Sequence, residues 1–446
     1  MRTLPLVLYL QLIFIWESSE SISCDVNSKN TEARLQQQLL CSYDKSIRPV
    51  GNSKNRTTVK VKMFVKSFEY DDVEGKLTIN SWLSLRWTDE HLKWNAKDFD
   101  NIGTTNIHSD DIWMPDLALY NSKTTQFSET CTSSHCIVYS NGAVSCIPPC
   151  SHEAICRSNY KYWPFDTQNC SLHLGSWVHK GEEIDYQTLM SGIERSKLQH
   201  NEWKIVNTYV KKNPGNYSCC PDETYPSLHY TFIIERHSAS EQAFILAPAM
   251  ILVALNLISL WLSPTCSERI IICIVSLFSH FIFIQQLSWL VPKNGEIVPN
   301  AILFFRDSLV ISAVLILNTV ILRGLLSTEA TTPIWVKNLT ESLKNNTIGN
   351  AVFSKPYLIN RTPLNNDSGA DDASNLIEGG GAETVAQAAA NNKTEDSTSI
   401  WVTTVRIIDI LLFIILLVVY FFMLVSWIPE EYEFKGKINA ELLDDD

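Results

Sequence analysis

Positive charge is scarce in this chain: 36 Lys and Arg face 48 Asp and Glu, for a formal net charge of -12. That deficit argues against nucleic acid as a partner and is compatible with a surface that concentrates cations. The constellations that carry enzyme chemistry are missing as well. No Ser/His/Asp order, zinc signature or phosphate-binding glycine loop stands in a usable context. The chain is therefore expected not to be an enzyme, and neither a cofactor nor a metal is expected.

The apolar content, 45%, is ordinary for a globular protein, but it is unevenly placed. Arg2 precedes an apolar run from Leu4 to Trp16 and a polar stretch ending at Ser23. The run is too short to span a bilayer, so residues 1–23 read as a cleavable secretory signal. Four later segments, Gln242 to Leu262, Ile270 to Pro292, Val298 to Leu322 and Ile407 to Ile428, are each long and apolar enough to cross as a helix. Behind a signal peptide, four crossings leave both termini outside. The expected order is an extracellular domain over 24–241, three membrane helices within 242–325, a cytoplasmic and largely disordered loop over 326–400, a fourth membrane helix at 401–428 and an extracellular tail at 429–446. Ten of the twelve cysteines precede the first span and face an oxidising lumen, so disulfides are expected there. Cys266 and Cys273 lie in or beside the second span and read as buried free thiols.

Between Cys24 and Glu241 the pattern is mainly that of strands, after a short helical stretch from Thr31 to Cys41. Lys60 to Lys66 largely alternates as a half-buried strand does, and Ile79 to Trp87 is rich in aromatic and aliphatic residues. An all-β sandwich of immunoglobulin-like kind, followed by a four-helix transmembrane bundle, is the expected fold. Asn55, Asn169 and Asn216 open N-x-S/T triplets and become glycosylation acceptors in a secreted domain. Five further triplets, at Asn338, Asn345, Asn360, Asn366 and Asn392, fall in the loop expected to be cytoplasmic. There they would be chance occurrences, whereas outside the cell they would be sites.

Cys156 and Cys170 enclose thirteen residues, among them Trp163-Pro164-Phe165-Asp166. With this stretch the chain resembles the Cys-loop receptors, the pentameric ligand-gated ion channels, whose signature is a disulfide closing that spacing around an aromatic-Pro-Phe-Asp turn. Within that family, Cys219-Cys220 flanked by Tyr217 and Tyr225 resembles the mobile hairpin of α-type nicotinic acetylcholine receptor subunits. Adjacent cysteines pair only through a strained ring, so such a bond stiffens a loop tip and does not staple a core. The stretches Trp113 to Tyr120, Gly175-Ser176-Trp177 and Tyr217 to Tyr225 match the family residue by residue.

The resemblance implies an aromatic cage of Tyr120, Trp177, Tyr217 and Tyr225, with Cys219-Cys220, around acetylcholine or a related quaternary ammonium. Trp177 would be the main face, since indole is the strongest of the cation-π partners. Any one of these rings alone reads as an ordinary core aromatic; their joint occurrence in three motifs does not. Asn80-Ser81-Trp82 matches the position from which a neighbouring subunit offers a Trp, so Trp82 would serve an adjacent principal face. Cys146 and Cys150 flank Pro148-Pro149 where the family usually has other residues, and with Cys131 and Cys136 they imply extra disulfides of open pairing.

For coupling, the resemblance implies an ion pair of Arg236 with Asp72, Val73 beside it, and contributions from Phe165, Asp166 and the turn at Pro299. In the second span Glu268 matches an acidic ring that favours cations. Above it the stripe reads Ile271, Val275, Phe278, Ile282, Gln285 or Gln286, and Trp289, where family channels place small hydroxyl residues at the first two positions. The implied protein is a subunit of an acetylcholine-gated cation channel, in a homo- or hetero-pentamer at the plasma, and expectedly postsynaptic, membrane. The apolar stripe leaves a ligand-binding subunit that conducts poorly alone as the alternative.

Overall fold

The structure, a computed structural model, describes residues 28–124, 130–195, 202–218, 221, 223–291, 297–327, 332–345, 357 and 383–427. It forms two compact units: one combines the chain up to Ser158 with Thr167–Arg236, the other Asn159–Asp166 with the chain from His237 onward.

The first unit opens with helix α1 (Thr31–Leu40), whose start is fixed by the Asn30 side chain accepting from the backbone N–H groups of Glu32 and Ala33. The strands that follow are β1 (Thr57–Asp71), β2 (Lys76–Thr88), β3 (Thr104–His108), β4 (Leu117–Leu119), β5 (His135–Tyr139), β6 (Ala143–Cys146), β7 (Pro149–Ile155), β8 (Thr167–Ser176), β9 (Ile184–Arg195), β10 (Trp203–Asn213) and β11 (Ser227–Arg236). One sheet runs β3-β5-β6-β2-β1-β9 with β7 also on β2; the other runs β10-β11-β8-β4. The alternation expected from Lys60 to Lys66 is that of β1, whose Val59, Val61, Met63 and Val65 face the core. From the other sheet Leu172, Leu174, Leu228, Tyr230, Phe232 and Ile234 meet them. Full burial of side chains of this size is worth about 1.5–3 kcal/mol each, so the two inner faces hold the sandwich together. Three disulfides that join described residues add covalent staples: Cys131–Cys150, Cys136–Cys146 and Cys156–Cys170. The pairing left open among the extra cysteines is thus 131 with 150 and 136 with 146.

The second unit contains helices α2 (Ala239–Ser259), α3 (Ser267–Leu290), α4 (Asn300–Ser327), α5 (Ile334–Asn345) and α6 (Glu383–Trp427). Four helical stretches, Ala239–Ser259, Ser267–Leu290, Asn300–Ser327 and Ile400–Trp427, are long and apolar enough to cross a membrane. Of the stretch 326–400, expected to be largely disordered, much lies outside the described residues, and what is described is mostly helical. Part of it is α5, and α6 begins seventeen residues before its apolar span, at Glu383. Helix α5 is amphipathic: Val336 and Thr340 are buried, and the Thr340 hydroxyl meets that of Thr404 on α6 at 3.0 Å. Polar composition masked this one apolar stripe, which is enough to dock a short helix.

Two polar constructions lie inside the helical unit. Arg269 on α3 and Asp409 on α6, both 0% exposed, pair through two nitrogens at 2.8 and 2.9 Å. The guanidinium also donates to Thr319 and to the Leu262 carbonyl. Charged residues within apolar spans are costly unless so partnered. Farther along, Asn256, Ser276, His280, Ser308, Ser312 and Tyr420 form one buried hydrogen-bonded network that joins α2, α3, α4 and α6.

Candidate functional site

The aromatic residues singled out in the sequence come from the ends of four strands. Tyr120 follows β4, and its position is set from β8: its N–H donates to the His173 carbonyl at 2.8 Å, and the neighbouring Asn121 bonds both Ser171 and His173. The ring lies across Gly175, where an added Cβ would stand 2.4 Å from the phenol oxygen. Its hydroxyl donates to the Ser176 carbonyl at 2.5 Å. Burial, reinforced by Tyr217, Asp116 and Tyr225, pushes the Tyr120 phenol up to about 12, so it remains a donor throughout the physiological range.

Trp177 follows β8 and is 59% exposed, its ring 6.3 Å from that of Tyr120 in an edge-on arrangement. Its backbone is held by Asp116. That carboxylate accepts from the N–H groups of Trp177 and Val178 at 3.0 and 2.9 Å and from the Ser176 hydroxyl, with Tyr186 at 3.5 Å. Tyr217 and Tyr225, on either side of the hairpin between β10 and β11, stand 6.4 Å apart, with Tyr217 45% exposed. Gly215 lets the hairpin close, since at its φ of +71° a Cβ would collide with the Tyr225 carbonyl. Glu223 accepts from the Tyr225 hydroxyl at 3.0 Å and pairs with Lys180, which ties the hairpin to the segment after Trp177. The Lys180 hydrogen bond holds the Glu223 carboxyl below its ordinary range. Cys219 and Cys220 lie outside the described residues.

Trp82, on β2 of the other sheet, is 49% exposed. One face of its indole is already taken: Lys66 Nζ lies 3.5 Å from the ring centroid.

Among the coupling candidates, Arg236 and Asp72 pair at 2.6 Å, with the guanidinium also over the Trp203 ring. Val73 beside them is exposed. Phe165, Asp166 and Pro299 belong to the other unit. There Asp166 is buried, and the N–H of Asn300, next to Pro299, donates to the Lys161 carbonyl at 2.9 Å. On α3, Arg269, Cys273, Ser276, His280 and Leu287 form the buried face, whereas Ile271, Val275, Phe278, Ile282 and Trp289 are exposed and Glu268 is half-buried. Asn55, Asn169 and Asn216 are all exposed.

Sequence reasoning gave no role to Asp116, Lys66, Lys180, Glu223, or the Arg269–Asp409 pair. For the last, the signal was available: an Arg and an Asp within apolar spans each demand a partner. For Asp116 it was the carboxylate after Pro115 in an already matched stretch.

Residues 32–238 match the family described as the neurotransmitter-gated ion-channel ligand binding domain. Over these residues the chain is similar to that domain family. Over 271 residues, 60% of the chain, it is 31% identical to the neuronal acetylcholine receptor subunit alpha-2 of Gallus gallus. It is 30% identical over 297 residues, 65% of the chain, to the acetylcholine receptor subunit alpha-type acr-16 of Caenorhabditis elegans. The neuronal acetylcholine receptor subunit alpha-6 of Pan troglodytes is 30% identical over 314 residues, 69% of the chain. The chain spans about half the length of the first of these, 51%, and 59% and 63% of the other two. The matched stretch holds the Cys156–Cys170 disulfide of the β-sandwich, and four helices long and apolar enough to cross a membrane follow it.

Proposed function

We propose that the chain is a subunit of an acetylcholine-gated, cation-selective channel and supplies the principal half of the ligand site. Tyr120, Trp177, Tyr217 and Tyr225 form the cage for a quaternary ammonium, and a Cys219–Cys220 bond stiffens the hairpin that closes it. The observation that carries this reading is the exposed indole of Trp177, braced by Asp116 and edged by Tyr120. A desolvated cation over an indole gains about 2 kcal/mol or more. The Arg236–Asp72 pair, Val73, Phe165, Asp166 and Pro299 then pass binding on to the helices, and Glu268 biases the pore toward cations. Residues 24–241 lie outside the cell, with glycan on Asn55, Asn169 or Asn216.

The test compares Trp177→Ala with Trp94→Ala in full-length protein at matched surface expression. Trp94 donates its indole N–H to the Ile102 carbonyl at 2.8 Å and so serves the fold. Acetylcholine binding should weaken about thirtyfold or more in the Trp177 variant alone; equal losses in both variants would overturn the cage.

One observation favours a second reading. Ile271, Val275, Phe278 and Ile282 make the exposed stripe of α3 bulky and apolar. A pore lined by five such copies dewets readily, so the subunit binds ligand and conducts only beside more polar partners.

A further inference from the structure

Three donor groups converge under the β2–β7 pair. Cys131, Cys150 and His152 each offer a ligand atom, and these atoms all lie within 4.8 Å of one another. β7 pairs with β2 so that Cys150 faces Ser81 and His152 faces Ile79. Two residues apart on one strand, Cys150 and His152 point to the same side, the core. Cys131 is brought in by a bridge to Cys150, flanked by Ser151 N–H to the Thr130 carbonyl at 2.7 Å and Thr132 N–H to the Pro149 carbonyl at 2.9 Å. His152 is 1% exposed, and its Nδ1 has no hydrogen-bond partner among the described residues. A buried polar atom left without a partner costs about 1–3 kcal/mol, so packing alone does not account for an imidazole here.

We propose that Cys131, Cys150 and His152 form a redox-gated site for a thiophilic divalent cation such as zinc, closed while the disulfide stands and opened by a thiol reductant. The donor set is Cys2His, the composition of a tetrahedral zinc site with one further position. Thr130, whose Oγ1 lies 3.9 Å from Cys131 Sγ, or a water can fill that position. Of the three disulfides that join two described residues, this is the one with a half-exposed cysteine; Cys41, also half-exposed, is disulfide-bonded as well. Cys131 is partly open to solvent, whereas Cys150, Cys136, Cys146, Cys156 and Cys170 are buried. Thiol–disulfide exchange therefore begins at the Cys131 sulfur. A first external thiolate bonds to that sulfur and expels the Cys150 thiolate. A second attacks the external sulfur of the mixed disulfide and releases the Cys131 thiolate, and the reductant leaves as its own disulfide. Two thiolates and a divalent cation sum to zero charge, which suits a buried site better than either charge alone. The neighbouring residue Pro149 pairs with Trp82, so loading bears on the strand pair that presents that indole. The site stands independently of the ligand cage.

The experiment uses the full chain purified in detergent and exposed to limiting dithiol, followed by anaerobic removal of the reductant. Mapping of alkylated peptides should find Cys131 and Cys150 freed before Cys136, Cys146, Cys156 or Cys170. The reduced protein should then take up one zinc per chain in competition with a chromophoric chelator, and cobalt(II) in its place should show thiolate charge-transfer absorption. His152→Gln, which keeps the disulfide for folding, should release the same two thiols yet bind zinc about tenfold or more weaker. Equal zinc affinity in the His152→Gln variant, uptake by the unreduced protein, earlier release of Cys136–Cys146 or Cys156–Cys170, or no uptake after reduction would each overturn the proposal.

Discussion

Trp177 is held at the surface by hydrogen bonds to its backbone, and the carboxylate of Asp116 supplies them. Hydrogen bonds to a charged group contribute roughly 1.5–3 kcal/mol each. Asp116→Ala should therefore lower acetylcholine affinity about tenfold or more although it removes no ring. Asp116→Asn, which keeps an acceptor oxygen, should retain part of the affinity. Radioligand binding on both variants checks the ordering, and equal affinity in wild type and Asp116→Ala would show that the Trp177 segment holds itself. Gly175 carries a second residue-scale expectation. A Cβ there would stand 2.4 and 2.7 Å from the Tyr120 phenol oxygen and ring carbon, so Gly175→Ala must displace the ring. It should cost more affinity than Tyr120→Phe, which removes only the hydroxyl bond to Ser176. The rings themselves were legible in sequence because three motifs carry them together. The bracing carboxylate was not, since its partners are backbone N–H groups some sixty positions away, which leave no mark on residue type.

At the scale of elements, strands β8 and β11 are joined by a pair of imidazoles. His173 and His229 face one another in register and stack with ring centroids 3.8 Å apart. Burial and the neighbouring His173 push His229 down to about 4, and burial lowers His173. Both are thus favoured neutral in the folded state, whereas the unfolded chain binds protons near an ordinary histidine value of about 6.5. Between those values the unfolded state holds more protons, so stability falls as pH drops from about 6.5 toward about 4. Thermal unfolding in detergent should show this slope in wild type and a shallower one in a His173→Gln, His229→Gln double variant; identical slopes would remove the pair from the account. The strands bearing this stack were readable from alternation, as Lys60 to Lys66 within β1 shows. The stack was not readable, because register between strands fifty residues apart is a product of the assembled sheet. Helix α5 was missed for a different reason: an amphipathic stripe of two turns is diluted when averaged over a long polar stretch.

On the scale of the whole molecule, the membrane spans were the plainest feature of the sequence, since length and hydropathy suffice to find them. What the helices do with their polar residues was hidden. Arg269 sits next to Glu268 yet turns into the bundle to meet Asp409, so adjacent charges on one helix have opposite assignments. That division of α3 into a polar buried face and an apolar exposed face underlies the last prediction. In the pentamer proposed above, the exposed face carrying Ile271, Val275, Phe278 and Ile282 lines the pore, and a ring of such residues must be wetted before ions pass. Expressed alone, the subunit should reach the surface, bind acetylcholine and give little or no evoked current. Ile271→Ser with Val275→Thr replaces two apolar rings by hydroxyls without touching the buried face, so it should raise conductance or spontaneous opening and leave agonist affinity within about twofold. Patch-clamp recording beside surface binding measures both. Large cation currents from the unmodified subunit would show that the stripe does not limit conduction. A silent double variant with normal surface binding would move the block to the Arg236–Asp72 pair, whose 2.6 Å contact is then the next place to cut.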